Sequence, residues 1–227
     1  RAWKRDYPLV LKRHWDDERA TNVYAFIDAL SARLPEGYTT VVGNGSACVV
    51  GSHGYHIKKG QRFIINSAIA SMGYDLPAAI GACRALGDAE IVCISGDGGM
   101  QMNMQELATA VCEGVGITVC ILNNQYLGMV RQFQQVFYGK RYIATDLKTP
   151  EGACVPEGTY VPDFVKWAES YGAAGIRVTK EEEIEGALKK ARQNKKTPTV
   201  IEFMISSDEI VLPMVKGGTP MTEMILK

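Results

Sequence analysis

Ile91-Val92-Cys93-Ile94-Ser95-Gly96-Asp97-Gly98 and, further along, Ile117-Thr118-Val119-Cys120-Ile121-Leu122-Asn123-Asn124 set the architecture of this chain. Each is a short apolar run that stops abruptly at polar punctuation. Such runs, too short for helices, read as strands buried on both faces, the environment of a parallel sheet. In α/β proteins the turn from such a strand into the next helix is where phosphates bind, because free backbone N–H groups and the helix dipole face the anion. Asp97 and Asn124 set one oxygen ligand at each of these two strand ends. A carboxylate and an amide carbonyl are hard donors suited to Mg²⁺, which keeps phosphate oxygens and water in its remaining positions. Together the pair reads as a metal-diphosphate anchor, whereas Gly-Asp-Gly alone reads as a turn and Asn-Asn alone as a loop.

On the N-terminal side, Val23, Phe26, Ile27, Leu30 and Leu34 recur at helical spacing and the pattern stops at Pro35 and Gly37. Strands are expected at Thr39 to Val42, Arg62 to Asn66, Ala174 to Val178 and Thr199 to Met204. Helices are expected at Met72 to Leu86, with Pro77 in the first turn, and at Met100 to Glu113, Gly128 to Phe137, Phe164 to Tyr171 and Glu181 to Gln193. Residues 140–159, rich in Pro, Gly and Thr, read as an irregular excursion. The alternation predicts an α/β fold, a parallel sheet of about six strands with helices on both faces. Residues 1–18 read as a connector from an upstream domain, 19–205 as the main domain and 206–227 as a tail.

The chain has 227 residues, room for one large α/β domain, and its 25 Lys plus Arg balance 25 Asp plus Glu. With no basic stripe, nucleic acid is not indicated as a partner. No apolar stretch reaches the roughly 18 residues that span a bilayer, and no signal-peptide pattern opens the sequence, so a soluble, cytoplasmic chain with no membrane partner is expected. The six cysteines show no Cys-x-x-Cys spacing, Cys93 and Cys120 fall in expected buried strands, and they read as small buried thiols. His53 and His56 stand in a Gly-rich stretch read as a loop, without a Cys or carboxylate at ligand spacing, and make a poor metal pair.

The stretch Gly96 to Tyr142, with Gly-Asp-Gly, a helical spacer and Asn-Asn, resembles the diphosphate-binding signature of thiamine diphosphate (ThDP) enzymes. More specifically, Gln101-Met102-Asn103-Met104-Gln105-Glu106-Leu107-Ala108-Thr109-Ala110 and Tyr126-Leu127-Gly128-Met129-Val130-Arg131-Gln132 are similar to acetohydroxyacid (acetolactate) synthase large chains. The resemblance implies Mg²⁺ held by the side chains of Asp97 and Asn124 and the main-chain carbonyl of Tyr126. It implies cofactor contacts from Asn44, Gly45, Ser46, Gly96, Gly98, Gly99, Met102, Leu127, Gly128 and Met129. Around Ala70-Ser71-Met72-Gly73-Tyr74-Asp75-Leu76-Pro77 it implies backbone contacts to the aminopyrimidine and places Met72 beneath the bent cofactor, although Met72 alone reads as a core methionine. The tail Val211-Leu212-Pro213-Met214-Val215-Lys216-Gly217-Gly218-Thr219 resembles the family's lid.

The resemblance further implies decarboxylation of a 2-oxo acid such as pyruvate and transfer of the acyl unit to a second carbonyl, the cofactor carrying the chemistry. The family's activating Glu belongs to a pyrimidine-binding domain, of the same or another chain, so no catalytic residue is expected here and the chain alone is expected to be inactive. A homodimer or homotetramer is implied for the intact enzyme. Three departures stand out: Asn44-Gly45-Ser46 in place of a Gln-His-Gln run, Phe133 where the biosynthetic enzymes carry Trp in the acceptor pocket, and a long segment from Lys148 to Thr159. They leave open a relative with a keto-sugar acceptor, a C–C lyase or hydrolase, or a separate ThDP-binding subunit of a two-chain enzyme.

Overall fold

The computed structural model describes residues 5–16 and 21–226. Six parallel strands, β1 (Thr39–Val42), β2 (Arg62–Ile65), β3 (Ile91–Gly96), β4 (Thr118–Asn123), β5 (Ala174–Val178) and β6 (Thr199–Met204), form one sheet in the order β2-β1-β3-β4-β6-β5. Eight α-helices are described: α1 (Val23–Arg33), α2 (Ser46–Gly54), α3 (Asp75–Ala85), the single turn α4 (Asp97–Met100), α5 (Leu107–Cys112), α6 (Gly128–Phe137), α7 (Phe164–Ser170) and α8 (Glu183–Gln193). Alternate strand residues feed two separate cores. Val92, Ile94, Cys120, Leu122, Ile201 and Phe203 pack under α1, α2 and α8. Their neighbours Ile91, Cys93, Val119, Ile121 and Val200 pack under α3, α5 and α7. Burial on both faces explains why β3 and β4 read as unbroken apolar runs rather than alternating ones.

The strand order contains the feature that positions a site. From β1 the chain moves outward to β2, then returns to place β3 on the other side of β1. The connections after β1 and β3 therefore leave in opposite directions, and a crevice opens between them at the carboxyl ends of the strands.

Local chemistry explains most boundaries. The Asn22 side chain caps α1 by accepting the Tyr24 N–H, and α1 stops before Leu34, whose extended ψ of 132° suits a residue that precedes proline. Three expectations need correction. Met72 is not helical: α3 starts only at Asp75, because Ala70 (φ 55°) and Gly73 (φ 82°) turn the preceding chain through left-handed conformations. The expected helix from Met100 to Glu113 is broken into α4, a 3₁₀ turn at Met104–Glu106 and α5, since Asn103 leaves helical geometry (φ −137°) and donates its Nδ2 to the Gly73 carbonyl at 2.9 Å. His53 lies on α2, not in a loop. Gly51, Gly54 and two valines lower the helix propensity of that segment, but burial of Ala47 and Val50 and close approach of the Phe63 ring to Gly51 outweigh the cost.

Within the expected connector, residues 1–4 and 17–18 lie outside the described residues. Most of its described residues are exposed, but His14 is buried and stacks on Tyr24 with ring centroids 4.7 Å apart. The tail is tied at its base, where the buried Gln132 side chain accepts the Val211 N–H at 2.7 Å and donates to the Val211 carbonyl at 2.9 Å. The segment from Lys148 to Thr159 folds back on itself through a Lys148–Tyr160 bridge and a Thr149 N–H to Thr159 carbonyl bond of 2.8 Å. Among the described residues no helix is long and apolar enough to cross a membrane.

Candidate functional site

Three strand ends meet at the crevice: Asn44 to Ser46 after β1, Gly96 to Gly99 at the end of β3, and Asn124 with Tyr126 to Met129 after β4. They line one cleft together with Met72, which reaches over from the β2–α3 loop. Thirteen of the sixteen residues expected to touch a cofactor are thus brought together: Asn44, Gly45, Ser46, Met72, Gly96, Asp97, Gly98, Gly99, Asn124, Tyr126, Leu127, Gly128 and Met129. Ala70, Ser71 and Met102 sit outside this lining. Ala70 and Ser71 belong to the β2–α3 loop beside it and Met102 to the turn after α4, and the two meet where a Cβ on Gly73 would lie 2.7 Å from Met102 Cβ. Phe133 is not in the cleft; it is 43% exposed and packs against Phe137 with centroids 5.3 Å apart. Apolar lining that sequence reading passed over comes from Ala47, Leu122, Val130 and Ile205.

Asp97 is only 3% exposed, and among the described residues it has no ion-pair partner. Its Oδ1 accepts the Gly98 N–H and its Oδ2 the Gln125 N–H, both at 2.8 Å. These bonds favour the carboxylate, but burial dominates and pushes its pKa up to about 7. A buried anion without a cation is the state that a bound metal ion would relieve.

Asn124 Oδ1 accepts the Tyr126 N–H at 3.0 Å, an Asx turn that fixes the side chain at the strand end. Gln125 is held between them at φ 64°, unusual for a residue with a side chain. The bonds on either side, Leu127 N–H to Thr145 and Leu147 N–H to Gln125, bypass the Tyr126 carbonyl. Asn123 faces the other way: its Nδ2 donates to buried Glu202 at 2.7 Å, and Glu202 accepts Arg177 Nε at 2.7 Å. Of the Asn-Asn pair only Asn124 faces the cleft. Above it, Arg131 stacks 4.2 Å from the Tyr126 ring centroid and Lys148 Nζ donates to the Tyr126 hydroxyl at 2.7 Å, which together fix Tyr126.

The glycines shape the floor. Nothing lies within 4 Å of where a Cβ would project from Gly45 (φ 78°) or Gly96, so both leave open space where a ligand can touch the backbone. A Cβ on Gly98 would fall 2.7 Å from Leu127 Cδ2, and one on Gly128 would fall 2.6 Å from Asn124 Nδ2 and 3.4 Å from Ser46 Oγ. The donor set fits Mg²⁺ bridged to a diphosphate: one carboxylate, one amide oxygen and one spare carbonyl beside an open glycine cradle. No cluster of three or more His, Cys, Asp or Glu side chains able to hold a metal occurs among the described residues, and the two histidines do not converge, since His56 pairs with Asp28 at 2.6 Å.

One buried acid beside the cleft has no role assigned from the sequence. Asp75 is 1% exposed at the start of α3, with its carboxyl against the Ser95 hydroxyl between the ends of β1 and β3. The only signal was a charged residue heading the otherwise apolar Leu76-Pro77-Ala78-Ala79-Ile80, which looks like an ordinary first-turn acid.

Residues 43–203 match the family model described as thiamine pyrophosphate enzyme, C-terminal TPP binding domain, thiamine pyrophosphate being ThDP under its other name. The chain is 38% identical over 193 residues to the acetolactate synthase large subunit of Corynebacterium glutamicum, covering 85% of this chain and 30% of that protein. It is 41% identical over 162 residues to the acetolactate synthase of Mycobacterium bovis, covering 71% and 25% respectively. To the acetolactate synthase large subunit of Parasynechococcus marenigrum it is 34% identical over 226 residues, 99% of this chain and 34% of that protein. The chain thus spans a quarter to a third of the length of these relatives.

Proposed function

The chain belongs to the thiamine pyrophosphate enzymes, whose C-terminal TPP-binding domain it contains, and we propose accordingly that its cleft holds ThDP through Mg²⁺. In this reading Asp97 and Asn124 bind the metal by side-chain oxygens and Tyr126 by its carbonyl, while diphosphate oxygens and water complete the shell. Gly45, Ser46, Gly96, Gly98, Gly99 and Gly128 receive the diphosphate, with Asn44, Leu127 and Met129 beside it. Met72, whose Cε lies 3.6 Å from where a Gly98 Cβ would be, supports the cofactor's middle. Ala70, Ser71 and Met102 meet its aminopyrimidine end. The observation that carries this reading is the buried Asp97 carboxylate, without a cation, beside glycines that open into the cleft.

When bound, ThDP supplies the electron sink for loss of CO₂ from a 2-oxo acid. This chain's residues hold the cofactor, exclude water and present it to a partner domain. The reaction we propose is acetolactate synthase-like: decarboxylation of pyruvate or a close 2-oxo acid and transfer of the acyl unit to a second carbonyl. In this reading residues 19–205 are the cofactor domain, 1–18 a connector from an upstream domain, and 206–227 the C-terminal tail that would serve as its lid. A pyrimidine-binding domain supplies the activating Glu. Helix α6 supports that division of labour, because it is inside out: it buries Gln132 and exposes Val130, Phe133 and Val136 at helical spacing. Covered by a second domain, Phe133 would become a wall of the acceptor pocket.

One assay tests the proposal. Supplied with a pyrimidine-binding domain, the chain is expected to release CO₂ from pyruvate and form acetolactate, and alone to do neither. In the same assay Phe133→Trp should raise the preference for 2-oxobutyrate over pyruvate as acceptor, within the roughly 10- to 200-fold that one methylene-sized contact can discriminate. Robust ThDP-dependent CO₂ release by the chain alone, or an acceptor ratio indifferent to residue 133, would contradict this assignment.

A further inference from the structure

Asp75 poses a problem of hydrogen counting. Its Oδ1 accepts the Leu76 N–H at 2.9 Å, and its Oδ2 lies in hydrogen-bond contact with Ser95 Oγ. Ser95, itself buried, also has its Oγ 3.0 Å from the Gly96 carbonyl. A hydroxyl carries one hydrogen, so Ser95 can donate to the carboxylate or to the carbonyl but not to both. An ionised Asp75 would therefore leave one oxygen pair facing each other without a proton. A protonated Asp75 satisfies every atom: its O–H donates to Ser95 Oγ, and the Ser95 O–H donates to the Gly96 carbonyl.

The surroundings point the same way. Among the described residues no cation pairs with Asp75, and burial raises its pKa above the usual carboxylate range. The carboxyl is wedged between the two strands that frame the crevice: a Cβ on Gly43 at the end of β1 would fall 2.1 Å from Oδ2, and one on Gly99 in α4 would fall 3.5 Å from it. A second unpaired negative charge under a diphosphate site would oppose the anion, whereas a neutral acid there does not.

We infer that Asp75 is a neutral carboxylic acid and a positioning residue, whose proton chain through Ser95 to the Gly96 carbonyl fixes the turn that would receive the diphosphate. The positioning role rests on the reading of the cleft as a ThDP site; the protonation does not.

Two measurements on the full chain separate these parts. Infrared difference spectra between wild type and Asp75→Asn at about pH 8 should contain the C=O stretch of a protonated carboxylic acid, present only in wild type and shifted by deuteration. Its absence would overturn the protonation. Calorimetry with ThDP and Mg²⁺ should find Asp75→Asn, whose amide can donate to Ser95 in the same place, within about threefold of wild type. Asp75→Ala and Ser95→Ala should each lose roughly tenfold or more, the scale of one buried hydrogen-bond partner left unpaired. Should Asp75→Ala not fold, Ser95→Ala with Asp75→Asn makes the same comparison. An Asn variant as weak as the Ser95→Ala variant would overturn the positioning role. So would a wild-type chain that binds no ThDP, with the infrared band still deciding the protonation.

Discussion

Asp97→Ala is expected to abolish Mg²⁺-dependent ThDP binding and, in the metal-free chain, to flatten the dependence of stability on pH. Among the described residues Asp97 is the one carboxylate lining the cleft. Its removal should weaken binding by more than the roughly 10- to 100-fold that loss of a mere supporting neighbour costs at a metal site. The pH effect stems from its burial. Its folded pKa is about 7 against an ordinary 3.8, so the folded chain holds this proton more tightly than the unfolded one. The stability from that proton is fully present below 3.8 and is lost as pH rises through about 7. The loss is on the order of 2–4 kcal/mol. Mg²⁺ with diphosphate should restore it by replacing the proton. Thermal unfolding between about pH 4 and pH 8, with and without metal and cofactor, reads both effects. Equal pH profiles for wild type and variant would mean that Asp97 is not a buried, uncompensated charge.

Gly128→Ala should separate binding from folding, moving the two in opposite directions. Gly128 opens α6, and alanine is the better helix former by about 1 kcal/mol in a helix interior, less at an end, so the fold should hold or gain. The added Cβ, however, would lie 2.6 Å from Asn124 Nδ2 and must push that side chain out of its Asx turn. A metal ligand displaced by even a fraction of an ångström should cost at least about tenfold in affinity for ThDP with Mg²⁺, or about 1.4 kcal/mol. Gly186→Ala is the control, because in α8 its Cβ would meet nothing within 4 Å and the residue does not line the cleft. Side-by-side calorimetry and thermal unfolding of the two variants should show the larger binding loss at Gly128. If Gly128→Ala bound ThDP with Mg²⁺ as tightly as Gly186→Ala, Asn124 would not be a ligand.

Much of the fold and of the cleft is legible in the order of residues. The runs that form β3 and β4 are continuous because both faces of each strand are covered, and they end at Asp97 and Asn124, so the pattern locates the crevice as well as the strands. What stays hidden depends on residues distant in sequence. Asn124 is placed by its position at the strand end, but the role of Asn123 is hidden, because only the approach of Glu202 turns it into the sheet. Asp75 looks like a first-turn helix acid until the sheet order brings Gly43 and Ser95 around it. The break between α4 and α5 is set by the bond from Asn103 to Gly73, thirty residues back. Phe133 is readable as a substrate wall only by resemblance, since within this chain it faces outward.

Whether the cleft at the β1–β3 switch point is a metal-dependent diphosphate site is decided on the wild-type chain, by titrating ThDP in the presence of Mg²⁺ and again in a chelator. If Asp97, Asn124 and the Tyr126 carbonyl share a metal with the diphosphate, ThDP should bind measurably only with Mg²⁺, and Mg²⁺ affinity should rise by the same factor when ThDP is present. Equal ThDP affinity with and without the metal would contradict it.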